Sequence, residues 1–246
     1  MIIKNLPQKT ILKETQLSGI GLHSGDQINI ALKPAEENQG FVFIRTDLNP
    51  NIIIPALANF VCKTDRGTSI SKEGVEIKTI EHILAALVGC GINNCIIETS
   101  GSEIPIMDGS SIKFVEAIQK TGIKEQNALQ EVFEVDETIK ISDEITGSEI
   151  MIIPDSDLSI SVMIDFETEV LGTQNAILKD IKDFNTEIAN CRTFSFLHEL
   201  ETLLDKNLIK GGDVNNSIIY VNKPLAKANM DRLKKAFNKE DIAVKK

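Results

Sequence analysis

A carboxylic acid and an imidazole stand side by side at Glu81-His82, in the run Thr79-Ile80-Glu81-His82-Ile83-Leu84-Ala85-Ala86-Leu87-Val88-Gly89-Cys90-Gly91. If the run is helical, His82 lies in its first turn, where the positive end of the helix dipole favours the neutral imidazole. That is the form a metal binds. Glu81 points roughly 100° away around the helix. It shares no face with His82, yet both can reach one pocket rim, where the carboxylate could act on a metal-bound water. Both can equally be ordinary first-turn residues, with Glu81 simply complementing the dipole. A catalytic zinc takes three protein ligands and keeps an open position. The other histidines are His23, in a predicted turn, and His198, on a predicted helix surface, and the chain contains neither H-E-x-x-H nor H-x-x-x-D. On residues alone the metal site is incomplete.

Two later stretches can also carry chemistry. Cys191-Arg192-Thr193-Phe194-Ser195-Phe196 leads into a predicted helix. The Thr193 hydroxyl can stabilise a developing oxyanion, and Phe194 and Phe196 can line an apolar channel. A helix cap with core aromatics explains the same residues. Gly211-Gly212 permits close backbone approach to a ligand, or simply a turn. The Lys-rich segment from 223 to 246 suits anionic groups or a solvated face.

The elements that must position these groups are legible from periodicity. Ile80, Ile83, Leu84, Leu87 and Val88 form one apolar helical stripe, with Thr79 as expected N-cap and Gly91 as expected left-handed stop. His82, Ala85, Ala86 and Gly89 form a small-residued second face that another layer can approach closely. Before this helix come strands over 10–15, 27–33 and 41–44, with an edge strand at 52–54 bounded by Pro55. After it come a strand at 93–98, a loop at 103–110 and a helix over about 111–121 that buries Ile112, Val115 and Ile118. The polar run Lys124-Glu125-Gln126-Asn127 reads as a boundary. Strands then resume over 131–135, 138–141, 149–154 and 158–164, followed by a helix over 195–206, a strand at 217–221 and a surface helix at 229–237. Two α+β domains of related layout are predicted, 1–126 and 127–246, the second without a final helix.

The bulk composition narrows the function classes. The chain has 246 residues, 42 % hydrophobic and 25 % charged, with no Trp and one Tyr. Its net charge of −10 argues against a general nucleic-acid binder, which needs a basic footprint. There is no secretory h-region and no run of about 20 apolar residues, so no membrane-spanning segment and a cytoplasmic location are expected. Cys62, Cys90, Cys95 and Cys191 form no C-x-x-C and are expected mostly as buried, reduced thiols.

Five motifs then occur in one order: Gly19-Ile20-Gly21-Leu22-His23-Ser24-Gly25, Arg45-Thr46-Asp47-Leu48, Thr79 to Leu87, Glu103-Ile104-Pro105-Ile106-Met107-Asp108-Gly109-Ser110, and Arg192-Thr193-Phe194-Ser195-Phe196. Together, over about residues 9–240, they resemble the zinc-dependent UDP-3-O-acyl-N-acetylglucosamine deacetylases of lipid A biosynthesis, including the branch fused to a 3-hydroxyacyl-carrier-protein dehydratase. No dehydratase half is present. The resemblance implies two similar domains, each a mostly antiparallel sheet, with helices packed between the two sheets. It implies His82 as a Zn2+ ligand, Glu81 as general base, Thr193 as oxyanion support, Phe194 and Phe196 near substrate and acyl chain, and Gly211-Gly212 beside the glucosamine. The family's other two zinc ligands come from a later His-x-x-x-Asp helix that this sequence does not contain. The expectation is therefore an incomplete chain that is nearly inactive. A non-catalytic binder of nucleotide sugar or acyl chains is the alternative.

Overall fold

The structure, a computed structural model, describes residues 2–197, 210–221, 231 and 234. The first strand, β1 (Ile2–Ile11), leads into β2 (Thr15–Ile20), β3 (Gln27–Pro34), β4 (Phe41–Arg45) and β5 (Ile52–Pro55). Three short strands follow, β6 (Val61–Lys63), β7 (Ser69–Lys72) and β8 (Val75–Ile77), then helix α1 (Glu81–Gly89), β9 (Cys95–Thr99), helix α2 (Ile112–Thr121) and β10 (Ile123–Val132). The expected strand over 10–15 is split, because Ile11 ends β1 and Thr15 begins β2.

The main sheet has the order β2-β3-β9-β4-β5, antiparallel except for the β4–β9 pair. Its strands alternate as a one-sided sheet should: Ile28, Ile30 and Leu32 of β3 are buried while Gln27 and Asn29 face out. These side chains share one core with Ile83, Ala86 and Leu87 of α1 and Phe114, Val115 and Ile118 of α2. The Ile52–Pro55 strand is at the edge, where proline costs no ladder bond.

Strand β6 begins a separate three-stranded sheet, β6-β7-β8. Arg45 fastens it to the main sheet. Its guanidinium grips Asp47 through two bonds of 2.8 and 2.6 Å and donates to the Glu76 carbonyl at 3.0 Å. The bond from Arg45 holds the Asp47 carboxyl below the usual carboxylate range.

The polar run Lys124–Asn127, expected as a boundary, is extended backbone. It lies inside β10, which runs antiparallel to β1 and closes the first half of the chain. The Gln126 amide accepts from Asn94 and donates to the Ala35 carbonyl, so its polar character serves a buried network. Beyond it, β11 (Ile139–Ser142) pairs with β12 (Glu149–Ile152), and β13 (Ile160–Asp165) pairs with β14 (Thr173–Leu178), a strand the sequence did not reveal. These hairpins are exposed along nearly their whole length. The expected helix start at 195 is instead β15 (Phe194–Phe196), parallel to β16 (Ile218–Tyr220). The predicted helix from His198 onward, nearly all of the 229–237 helix and nearly all of the Lys-rich segment lie outside the described residues.

The chain is thus α+β, with few helices and several sheets. No helix among the described residues is long and apolar enough to cross a membrane. All four cysteines are free, but only Cys95 is buried, and burial pushes its thiol up to about 12. Cys62 and Cys191 are exposed, contrary to the expectation of mostly buried thiols.

Helix α1 ends in a Schellman motif. Gly91, at φ +71°, donates to Val88 O at 2.9 Å, and Ile92 donates to Leu87 O at 3.0 Å. Of its apolar stripe, Ile80, Ile83 and Leu87 are buried, Leu84 is half-buried and Val88 is 44 % exposed. The small-residued face is covered, as expected: a short helix α3 (Phe184–Glu187) sets the Phe184 ring directly over Gly89. A Cβ at Gly89 would collide with that ring. Gly-to-Ala in an ordinary helix gains about 1 kcal/mol, whereas overpacking a filled core costs about 1–3 kcal/mol. Gly89→Ala is therefore expected to lower the melting temperature, and adding Phe184→Leu should restore part of the loss. A melting temperature raised by Gly89→Ala would show that the ring does not bear on this helix.

Candidate active site

Thr79 is not the N-cap. It stands at φ +59°, left-handed and buried, and its hydroxyl donates to Glu103 Oε1 at 3.2 Å instead of to the helix. Ile80 occupies the cap position and makes no side-chain cap bond. The work of a cap passes to the hairpin turn between β6 and β7. Ile80 N–H donates to Thr68 O at 3.3 Å, and Thr68 N–H donates to Glu81 Oε2 at 2.9 Å. One oxygen of Glu81 is thereby pinned. The other faces Gly67, where a Cβ would come within 3.1 Å of it.

His82 is largely removed from water, and this desolvation holds its imidazole below the usual histidine range, opposed by the charges of Glu81 and Asp108. The result is a neutral ring at physiological pH, as a ligand or a hydrogen-bond partner requires. Three non-glycine residues around this helix start are left-handed: Arg66 in the clasping turn, Thr79, and Met107 beside Asp108. Such conformations cost about 1–3 kcal/mol each and persist where the surroundings over-determine them. Thr79 is the most telling, since a β-branched residue is a true outlier there.

The loop carrying Asp108 is the seam to the second half of the chain. The Asp108 carboxylate accepts from Ser110 Oγ at 2.8 Å, while its backbone carbonyl takes the Arg192 Nε–H at 2.7 Å. Arg192 also donates to Val214 O at 3.3 Å. Thr193 N–H donates to Gly109 O at 2.7 Å, and Thr193 O accepts from Ile218. Thr193 is thus one hydrogen bond from the residue that follows Asp108, whose charge acts on His82. Phe194 and Phe196 share one face of β15, with ring centroids 5.8 Å apart. Phe166 and Tyr220 both stand edge-on to Phe194 at 5.4 Å.

Gly211 makes a close approach, and it is to this chain's own backbone. A Cβ there would strike Gly21 O, and Gly211 N–H donates to Leu22 O at 3.1 Å. Asn216 braces the loop by donating to Gly211 O and accepting from Asp213 N–H. Gly212 follows on the same loop. His23 enters only through its backbone, which donates to Glu103 Oε1. Glu103, Asp108, Arg192 and Asn216 are the organising residues that sequence reasoning left without a role. The available signal was an acid, Glu103, set against the apolar Ile104-Pro105-Ile106.

Among the described residues no group of three His, Cys, Asp or Glu side chains could hold a metal ion. His82 with Asp108 nearby does not make a zinc site, so the described residues do not fit a complete one.

The sequence matches the family model of LpxC, UDP-3-O-acyl N-acetylglycosamine deacetylase, over residues 8–239. The chain belongs to the LpxC family. It is 40 % identical to the bifunctional enzyme LpxC/FabZ of Bacteroides thetaiotaomicron over 228 residues, 93 % of this chain and 50 % of the relative. It is 41 % identical to the LpxC/FabZ of Chlorobaculum tepidum over 92 % of this chain and 49 % of that protein. Against the UDP-3-O-acyl-N-acetylglucosamine deacetylase of Myxococcus xanthus the identity is 39 %, over 86 % of this chain and 67 % of the relative. The chain therefore spans about half the length of the bifunctional relatives it matches.

In this LpxC chain the seam at Gly109 is sharply tested by one methyl group. Gly109 is at φ +84°, and a Cβ would collide with Asn216 O. Gly109→Ala should detach residues 213–216 and cost about 2–4 kcal/mol, from left-handed strain plus overpacking. Limited proteolysis should then cut near residue 213 faster than in the unmodified chain, and equal cutting rates would sink the seam.

Proposed function

We propose that this chain carries the base and one metal ligand of a zinc-dependent amide hydrolase of lipid A biosynthesis. Its substrate is UDP-3-O-acyl-N-acetylglucosamine, deacetylated in the cytoplasm. The carrying observation is the paired setting of Glu81 and His82: a carboxylate with one oxygen pinned by Thr68 N–H, next to a desolvated, neutral imidazole. Membership of the LpxC family supports the same reading.

In this reading Glu81 takes a proton from the attacking water through its unpinned oxygen, a role worth about 10²–10⁴-fold in rate. Thr193, held by Gly109, offers its hydroxyl to the oxygen that becomes negative as the acetyl carbon turns tetrahedral. Phe194 and Phe196 contact the acyl chain, and the Gly211-Gly212 loop borders the sugar. His82 is one Zn2+ ligand. Because the described residues supply no complete ligand set, the 246-residue polypeptide is expected to hold zinc weakly and turn over slowly. The layout is read as two domains, 1–126 and 127–246, with helices between their sheets, which the seating of Phe184 on Gly89 supports.

A second reading, a non-catalytic binder of nucleotide sugar or acyl chains, is favoured by the aromatic cluster, in which Phe194 keeps 37 % of its surface exposed.

Metal analysis of the purified chain should find well under one zinc per polypeptide, with turnover close to background. One tightly held equivalent with deacetylase turnover would overturn the incomplete-site reading. Calorimetry with UDP-N-acetylglucosamine separates the two readings: binding untouched by Glu81→Gln and by added zinc belongs to the binder, whereas binding strengthened by zinc belongs to the hydrolase.

A further inference from the structure

Glu103 is the one acidic side chain among the buried polar and charged residues described, at 1 % exposure. Its two oxygens accept three hydrogen bonds from two distant segments. Oε1 takes His23 N–H at 3.0 Å and Thr79 Oγ1–H at 3.2 Å, and Oε2 takes Ser24 N–H at 3.0 Å. We propose that Glu103 is a positioning residue that, through Thr79, sets the angle at which α1 presents Glu81 and His82.

Thr79 is held left-handed against its own preference, only two residues before Glu81. The backbone around it is fixed on both sides, by Lys78 N–H to Ser102 O and Ile104 N–H to Lys78 O at 3.0 Å each, and by Ile80 N–H to Thr68 O. The Thr79 hydroxyl is held by Glu103. Releasing it lets φ relax toward the ordinary negative region, which swings the peptide that enters α1. The first bond to register that swing is Thr68 N–H to Glu81 Oε2, because it joins the helix start to a separate hairpin. A glutamine in place of Glu103 has the same shape but only one acceptor oxygen, so its amide NH₂ must face the N–H of His23 or of Ser24.

The proposal rests on reading Glu81 as the base, but its test does not. Amide hydrogen exchange, resolved by NMR, is measured on the 246-residue chain and on Glu103→Gln, Thr79→Val and Thr79→Ser, with the amides of β3 and β9 as internal controls for global stability. The Thr68 amide should exchange about tenfold faster in Thr79→Val, as loss of about one hydrogen bond implies, and by a smaller factor in Glu103→Gln, whose one oxygen can still take the Thr79 hydroxyl. It should be unchanged in Thr79→Ser, which keeps the hydroxyl, and the control amides should stay put. If Glu103→Gln does not fold, the Thr79→Val and Thr79→Ser pair decides alone. An unchanged Thr68 amide in Thr79→Val, or equal acceleration in Thr79→Ser, overturns the proposal. Failure of the deacetylase reading would appear in turnover and zinc content, and leaves these exchange rates as they are.

Discussion

A carboxylate withdrawn from water has to be met by donors, and much of the first half of this chain is arranged to meet Glu103. The glycine-rich turn at 19–25 folds so that the His23 and Ser24 amides point at it. Gly21 has no room for a side chain because Ser24 Oγ and the carboxylate fill that space. The same turn offers Leu22 O to the Gly211 amide, so the seat of a second-half loop is shaped by a first-half acid. A hydrogen bond to a charged acceptor is worth about 1.5–3 kcal/mol net, and an unmet buried charge costs more. That asymmetry makes Glu103 an organiser, since any conformation that leaves it unpaired is heavily disfavoured.

The two halves share a core, with Leu178, Phe184 and Ala189 packed among first-half residues, and backbone carbonyls fix their register. Gly109 O receives Thr193, Asp108 O receives Arg192, Leu22 O receives Gly211, and Ser111 donates to Ala189 O. Backbone carbonyls are stiff partners, so the spacing between the helix that holds His82 and the strand that follows Thr193 is fixed by main-chain geometry. Side chains fill what is left, most tightly where Phe184 lies on the bare backbone of Gly89. Left-handed Met107 and Thr79 flank this arrangement, one at each loop that the seam or the buried acid holds in place.

How much of this could be read from the sequence depended on whether a residue's task was local. The α1 stripe, the Gly91 stop, the alternation of Gln27–Lys33 and the edge proline at Pro55 are short-range patterns, and each was legible. Thr79 was misread because threonine before an apolar helical run normally caps it, and nothing nearby announces that its hydroxyl is claimed by residue 103. The polar run at Lys124–Asn127 reads only as a boundary in the sequence, because the Gln126 amide serves partners far away, Asn94 and Ala35. The helix expected from 195 begins too early, because two aromatics at i and i+2 fit several patterns, and the parallel pairing with Ile218–Tyr220 makes Phe194–Phe196 a strand. For the site itself, adjacency made Glu81 and His82 visible. Asp108, Arg192 and Asn216 act through loop carbonyls and amides, which leave no periodic trace.

The pairing of β1 with β10 has a consequence for how the chain is made. Gln8 hydrogen-bonds to Leu129, 121 residues later, and the whole ribbon is built from contacts of that range. Closing so long a loop carries an entropic cost before any contact rewards it, and topologies of high contact order fold slowly for this reason. During synthesis, which proceeds from the N-terminus, the β2–β3 hairpin can form at once, while β1 must wait. Strand β1 is therefore made well before its partner, and its exposed edge has to be kept from wrong pairing until residue 132 has emerged.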